Sequence, residues 1–295
     1  MTVEFPSHGE TIAGNLFLPQ REPPIGSAVL LGPLTSVKEQ ACGNYAEALA
    51  QRGWAALAFD PRYFGESTGQ PRQYENPYAK IEDVKAAVDY LQQRGDLAGK
   101  PVVALGVCAG AGYMARAVAT EPRFAAFGAV AGFFHDANKQ REWSGAGYEP
   151  ALGRAREARE QWEAGGRVET IPAVGKEGEV AMPLAEAFEY YGTPRGGQLG
   201  HYINAFAVMS REHTLPYDAR GAARHIQVPT ILVNSEKALS PSMARAFFDD
   251  LEVKKHIHWL DSKGQIDFYD DPALIAAAVD ILDAAFRAQL LARAR

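Results

Sequence analysis

The chain has little cysteine. Cys42 and Cys108 are its 2 thiols and stand far apart, which excludes a disulfide framework and a cysteine-ligated metal site. It has no excess of positive charge. The formal net charge is −6, which argues against nucleic acid or an anionic membrane as the main partner. Basic stretches such as the one at Arg154 and Arg159 are interleaved with Glu157 and Glu160 and read as a solvated helix face. Long apolar runs are absent as well: the longest, residues 124–134, contains Gly128 and Gly132 and is too short to span a bilayer. The opening MTVEFPSHGE has neither a basic nor an apolar leader segment, so no secretory signal is expected. Together these absences lead to the expectation of a cytoplasmic protein with reduced thiols and no metal or cofactor.

What is present suits a large core. Of 295 residues, 47% are hydrophobic and 22% charged, enough for one α/β domain over residues 1–295. Short apolar runs at 27–31, 54–59, 102–105, 125–132, 230–233 and 256–260 read as strands; between or after them a helix is expected at about 37–52, one starting at Asn76-Pro77 with Ile81, Val84, Val88 and Leu91 on one face, one running from the glycine-rich stretch at 106–113 to about 120, and a last one with Leu274, Ile275, Ala278, Leu282 and Phe286 on one face. Residues 3–5 and 11–18, joined by His8-Gly9, read as a hairpin. Asn76-Pro77 and Ser240-Pro241 mark helix starts. Such alternation implies a mostly parallel sheet with helices on both faces.

The rhythm breaks between 135 and 215. Residues 150–164 and 184–191 read as helices, and 172–180 as a glycine-rich, hairpin-like segment. Because this stretch carries Trp143, Trp162, Phe188, Tyr190 and Tyr191, it is expected to be an inserted helical lid rather than disorder.

The stretch GVCAGAGY (106–113) follows an apolar strand and runs into a helix. Strand, then Gly-x-Cys-x-Gly, then helix is the setting of a nucleophile elbow, here with Cys108 as the raised residue. The helix behind it directs its amides at the site and favours negative charge there.

On these residues, with SVKEQ (36–40), FDPRYFGES (59–67), EYYGTPRG (189–196) and GQIDFYD (264–270), the chain resembles the α/β-hydrolase fold in its dienelactone-hydrolase-like branch. The resemblance covers nearly the whole length and implies a Ser or Cys nucleophile, a histidine after the last strand and an acid after the strand before it. Here Gln265 stands at the histidine's place, and Ala238 or Leu239 at the acid's, with Glu236 one turn too early. Where a histidine is common after the third strand, LGPLTS offers Gly32.

Glutamine exchanges no proton near neutral pH. A thiol still attacks an acyl group, but hydrolysis of the product needs an activated water. His135, followed by Asp136 at the carboxyl end of a strand, is a candidate relocated base. His256 and His258 read as structural, and His201, His213 and His225 lie in lid or return segments. The resemblance further implies an oxyanion hole from the amides of Leu34 and Ala109. Tyr63, Phe64, Tyr113, Phe133, Phe134 and Trp143 are expected around a pocket for a bulky apolar ligand.

The resulting expectation is an α/β-hydrolase-fold enzyme that carries out a non-hydrolytic step, such as cyclisation, C–C bond formation or isomerisation, on a bulky natural-product-like molecule. The rivals are a cysteine hydrolase of lactones, esters or thioesters, and a non-catalytic small-molecule binder. Nothing in the sequence opposes a homodimer.

Overall fold

The computed structural model describes residues 1–293. In chain order the elements are β1 (Thr2–Ser7), β2 (Glu10–Phe17), β3 (Ser27–Leu31), α1 (Ala41–Gln51), β4 (Ala55–Phe59), α2 (Pro77–Gln93), β5 (Val102–Val107), α3 (Ala109–Thr120) and β6 (Phe124–Val130). There follow α4 (Ala137–Ser144), α5 (Tyr148–Glu163), β7 (Thr170–Ile171), α6 (Ala185–Tyr191), α7 (Pro194–Gly197), β8 (Phe206–Ala207) and α8 (Arg211–Thr214). The chain closes with β9 (Thr230–Asn234), α9 (Pro241–Asp250), β10 (Lys255–Trp259), α10 (Asp267–Asp270) and α11 (Pro272–Arg293).

Continuous apolar runs dictate the sheet's centre. Every residue of β3, β4, β5, β6 and β9 is buried, as strands covered by helices on both faces must be. The order is β1-β2-β4-β3-β5-β6-β9-β10. The β1-β2 hairpin and the β2-β4 pair are antiparallel, and the remaining pairs are parallel. Right-handed crossovers put α1 and α11, which pack together, on one face and α2, α3 and α9 on the other. The edge strand β10 alternates half-buried Lys255, Ile257 and Trp259 with exposed His256 and His258.

Two expected elements change shape. The helix expected from residue 37 begins at Ala41. Gln40 Oε1 accepts from Val37 N at 2.9 Å, and the buried Lys38 is drawn to Asp60 by its backbone N (2.7 Å) and by Nζ (2.8 Å). These side-chain bonds hold the preceding turn out of the helix. Residues 172–182 do reverse direction, Ala181 N and Met182 N donating to Pro172 O and Ala173 O, but form no strand; the short strand just before them, β7, pairs with distant β8. Helix α4 was not legible because it carries no apolar face and none of its residues is buried. The insertion between β6 and β9 has a small core of its own, from Ala158, Ile171 and residues 206–209. It covers the carboxyl ends of β3, β5, β6 and β9, where the chemistry-bearing residues gather.

Candidate functional site

Cys108 occupies the N-cap of α3 with φ 54 and ψ −124, a strained backbone for a residue with a side chain, costing about 1–3 kcal/mol. Glycine makes the turn feasible. A Cβ on Gly106 would lie 2.4 Å from Ala111 Cα, and one on Gly110 would lie 2.2 Å from Leu31 O. The turn is fixed by Cys108 N donating to Val130 O (3.1 Å) and by Phe133 N donating to Cys108 O (2.8 Å). The thiol is thereby raised to the floor of a cavity of about 370 Å³.

Tyr269, Ala109 and Gln265 line the cavity beside Cys108 and act on its thiol. Burial pushes the thiol's pKa up, and these three contacts oppose that push without cancelling it. Gln265 is buried in the loop after β10. Its Oε1 accepts from Leu239 N at 3.0 Å and its Nε2 donates to Ala131 O at 2.8 Å. The side chain thus ties together the loops after β6 and β9. Glu236 is turned to the surface, paired with Arg245. Among the described residues, the histidine–carboxylate contacts are His8–Glu82 and His201–Glu66, and neither pair lines the cavity.

His135 does line the cavity, but its surroundings do not suit a base. The ring stacks on Tyr113 (5.0 Å between centroids) and meets Phe133 and Tyr217 edge-on at 4.7 and 5.2 Å. Its buried Nδ1 makes no hydrogen bond among the described residues. Burial, helped by the charge of Lys80, lowers its pKa to about 3. Asp136 does not orient it: that carboxylate caps α4 through Asn138 N and Lys139 N and faces Arg220. The expected relocated base is therefore a neutral aromatic wall residue, since no carboxylate stabilises its cation.

The cavity wall also includes Leu34, Phe133, Trp143, Met182, Leu184, Tyr191, Leu239 and Ile266. Trp143 is 58% exposed and sits at the rim. Four of the expected pocket residues, Tyr63, Phe64, Tyr113 and Phe134, do not line it. Tyr63 packs on Tyr74 (5.3 Å). Phe64 is buried beneath Lys80, whose Nζ lies 4.8 Å from its ring centre. Tyr113 lies behind His135, and Phe134 stacks on Phe247 of α9 at 3.8 Å. Tyr63 and Phe64 follow β4, Phe134 follows β6 and Tyr113 lies in α3, and each side chain packs away from the cavity.

The loop carrying Leu34 is braced from below. Thr35, with φ 59, donates its N–H to Glu75 Oε2 at 3.1 Å, and Lys80 Nζ meets Glu75 Oε1 at 2.5 Å. Both charged side chains are buried. Sequence reasoning missed this pair, and it missed Tyr269, Tyr191 and Glu186 on the wall. Tyr269 lies in the same GQIDFYD block as Gln265, one helical turn on, and that spacing was the available signal.

A family model described as serine aminopeptidase, S33, matches residues 38–155, which include the elbow. The Escherichia coli protein YcjY is 33% identical over 270 residues, 86% of this chain and 85% of that one. A polyketide transferase, grgF, from a Penicillium species is 25% identical over 289 residues, 95% of each chain. The solved structure of the Pseudomonas aeruginosa protein PA2218 superposes with a TM-score of 0.84 at 27% identity, covering 98% of this chain and 93% of that one.

Proposed function

The chain belongs to the α/β-hydrolase superfamily, and from that premise we propose that it is an acyl-transferring enzyme rather than an esterase. Cys108 takes an acyl group from a thioester and passes it to an organic acceptor; when the acceptor lies in the same molecule, the product is a ring. The observation that carries this reading is the Gln265 side chain, fixed by Leu239 N and Ala131 O at the place of an imidazole.

The chemistry follows from leaving groups. In the loading step Cys108 Sγ bonds to the thioester carbonyl carbon, and the carbon–sulfur bond of the donor breaks. The Cys108 proton reaches the departing sulfur through the Tyr269 hydroxyl, which donates one proton as it gains another. A thiol departs without a strong acid, so no imidazolium is required. The Leu34 and Ala109 amides hold the oxyanion. Hydrolysis is the step that suffers, because water must be deprotonated as it attacks. The apolar wall of Leu34, Phe133, Met182, Leu184, Leu239 and Ile266 suits a bulky, polyketide-like acyl chain, in keeping with the transferase relative.

Intact-mass measurement after mixing with N-acetylcysteamine thioesters of increasing acyl length tests the reading. Wild type is expected to gain one acyl mass, best with long or ring-bearing chains, and Cys108→Ala to gain none. Absence of any acyl adduct on wild type would overturn it.

A further inference from the structure

Glu186 has no role in the scheme above, although it lines the same cavity as Cys108, Gln265 and Tyr269. It is half-buried in the first turn of α6. Its Oε2 accepts only a long hydrogen bond, 3.4 Å, from Ile266 N. A Cβ on Gly264 would fall 2.3 Å from that oxygen, so the loop bearing Gln265 leaves its side-chain space to the carboxylate. Oε1 makes no hydrogen bond among the described residues and is not sealed from the cavity. The cation on the same wall, Arg211, is paired with Glu179 at 2.6 Å. No cation pairs with Glu186 among the described residues, so its carboxylate is open to a cationic ligand group beside the apolar wall.

We propose that Glu186 binds a primary ammonium group, and that the acyl acceptor is accordingly an amine. The second part rests on the acyl-transfer reading; the first does not. Glu186 holds R–NH₃⁺ and accepts one proton from it. The freed amine attacks the S-acyl carbonyl, the N–C bond forms and the C–Sγ bond breaks. The nitrogen's second proton passes to Sγ, by way of Tyr269, and regenerates the thiol. Glu186 then returns its proton to solvent, so the products are an amide, free Cys108 and H⁺. An amine suits a site without imidazole, because once Glu186 has taken the first proton from the ammonium the free amine attacks a thioester with no further base.

The test separates the two parts. Hexylamine binding is measured by calorimetry on Cys108→Ala, which has no nucleophile, and on the same protein with Glu186→Gln; 1-hexanol serves as the uncharged control. The ammonium contact is charge-assisted, so Glu186→Gln is expected to weaken hexylamine binding by about 10- to 100-fold and to leave hexanol unchanged. Glu186→Asp keeps the charge and is expected to lose less. Equal hexylamine affinity in both proteins, or no preference for hexylamine over hexanol, would overturn the inference. In the thioester-loaded enzyme, hexylamine is expected to release N-hexylamide with a half-saturation raised in Glu186→Gln. Loading without amide formation counts against the amine alone, and failure to load counts against acyl transfer.

Discussion

Gln265 Oε1 accepts a hydrogen bond from Leu239 N at 3.0 Å. Gln265, expected at the histidine's place, is thus joined to Leu239, one of the two residues expected at the acid's place, through a backbone amide. With its bond to Ala131 O, the Gln265 side chain braces the loops after β6 and β9.

Restoring one member should not restore hydrolysis. Gln265→His provides an imidazole with no carboxylate to fix its tautomer or stabilise its cation, and it breaks the bonds to Leu239 N and Ala131 O. Near-background turnover of short activated esters is expected for wild type and Gln265→His. A rise of about tenfold at most is expected for Gln265→His with Leu239→Asp, well below the full contribution of acid–base catalysis. A burst of esterase activity from Gln265→His alone contradicts this.

Glu75 and Lys80 are a buried pair beneath the Leu34 loop. Glu75→Ala leaves Lys80 charged and unpartnered, and about 3–5 kcal/mol of unfolding free energy should be lost in denaturant titrations. Glu75→Leu with Lys80→Met should regain most of it. Loading of Cys108 should stay slow in that double variant, because Thr35 N has lost its acceptor and the Leu34 amide its brace. Full loading rate in the stable double variant would show that the pair does not position the oxyanion loop.

His135 gives the protein an acid-sensitive point. Its pKa is lowered in the fold to about 3, against about 6.5 in the unfolded chain. Between these values the unfolded state binds the extra proton, so stability falls as pH drops through the window from about 6.5 to about 3 and is fully present above it. The term is worth a few kcal/mol at most, at about 1.4 kcal/mol per unit. His135→Phe should flatten the stability–pH curve between about pH 6 and 4; an unchanged slope contradicts the assignment.

Burial holds the Cys108 thiol above its ordinary pKa. Its alkylation by iodoacetamide should therefore be slow at neutral pH and keep rising beyond about pH 8.5, the reference thiol value. Tyr269→Phe removes a hydrogen bond that favours the thiolate, so its alkylation curve should move to still higher pH. A curve that moves lower would assign Tyr269 a different role.

The parallel strands and the elbow were legible because continuous apolar runs and Gly106-x-Cys108-x-Gly110 carry local physical requirements. The site's floor, Cys108 with Ala109 and Gln265, was legible through the strand-to-helix turn and the family block around Gln265. The pocket's walls were not. Phe134 shares a strand-end address with Phe133, but periodicity does not tell which side chain turns to α9 and which to the cavity. Glu75–Lys80 and Glu186 act across long sequence separations, and nothing local marks them. His135 looked like a base because His-Asp is adjacent in sequence, whereas in space Asp136 serves α4 and Arg220.

The most direct test of acyl transfer over hydrolysis is the lifetime of acyl-Cys108 in a single turnover. Enzyme loaded from an N-acetylcysteamine thioester is freed of excess donor and followed by intact mass, in buffer alone and with added hexylamine, 1-hexanol or a 1,3-diketone. The account predicts an adduct that persists for minutes in water and decays at least about tenfold faster with an organic acceptor, giving the acylated acceptor as product. Loss of the adduct in buffer alone at about 1 per second, within the usual range for enzymes, with free acid as the product, would contradict it and establish a cysteine hydrolase instead.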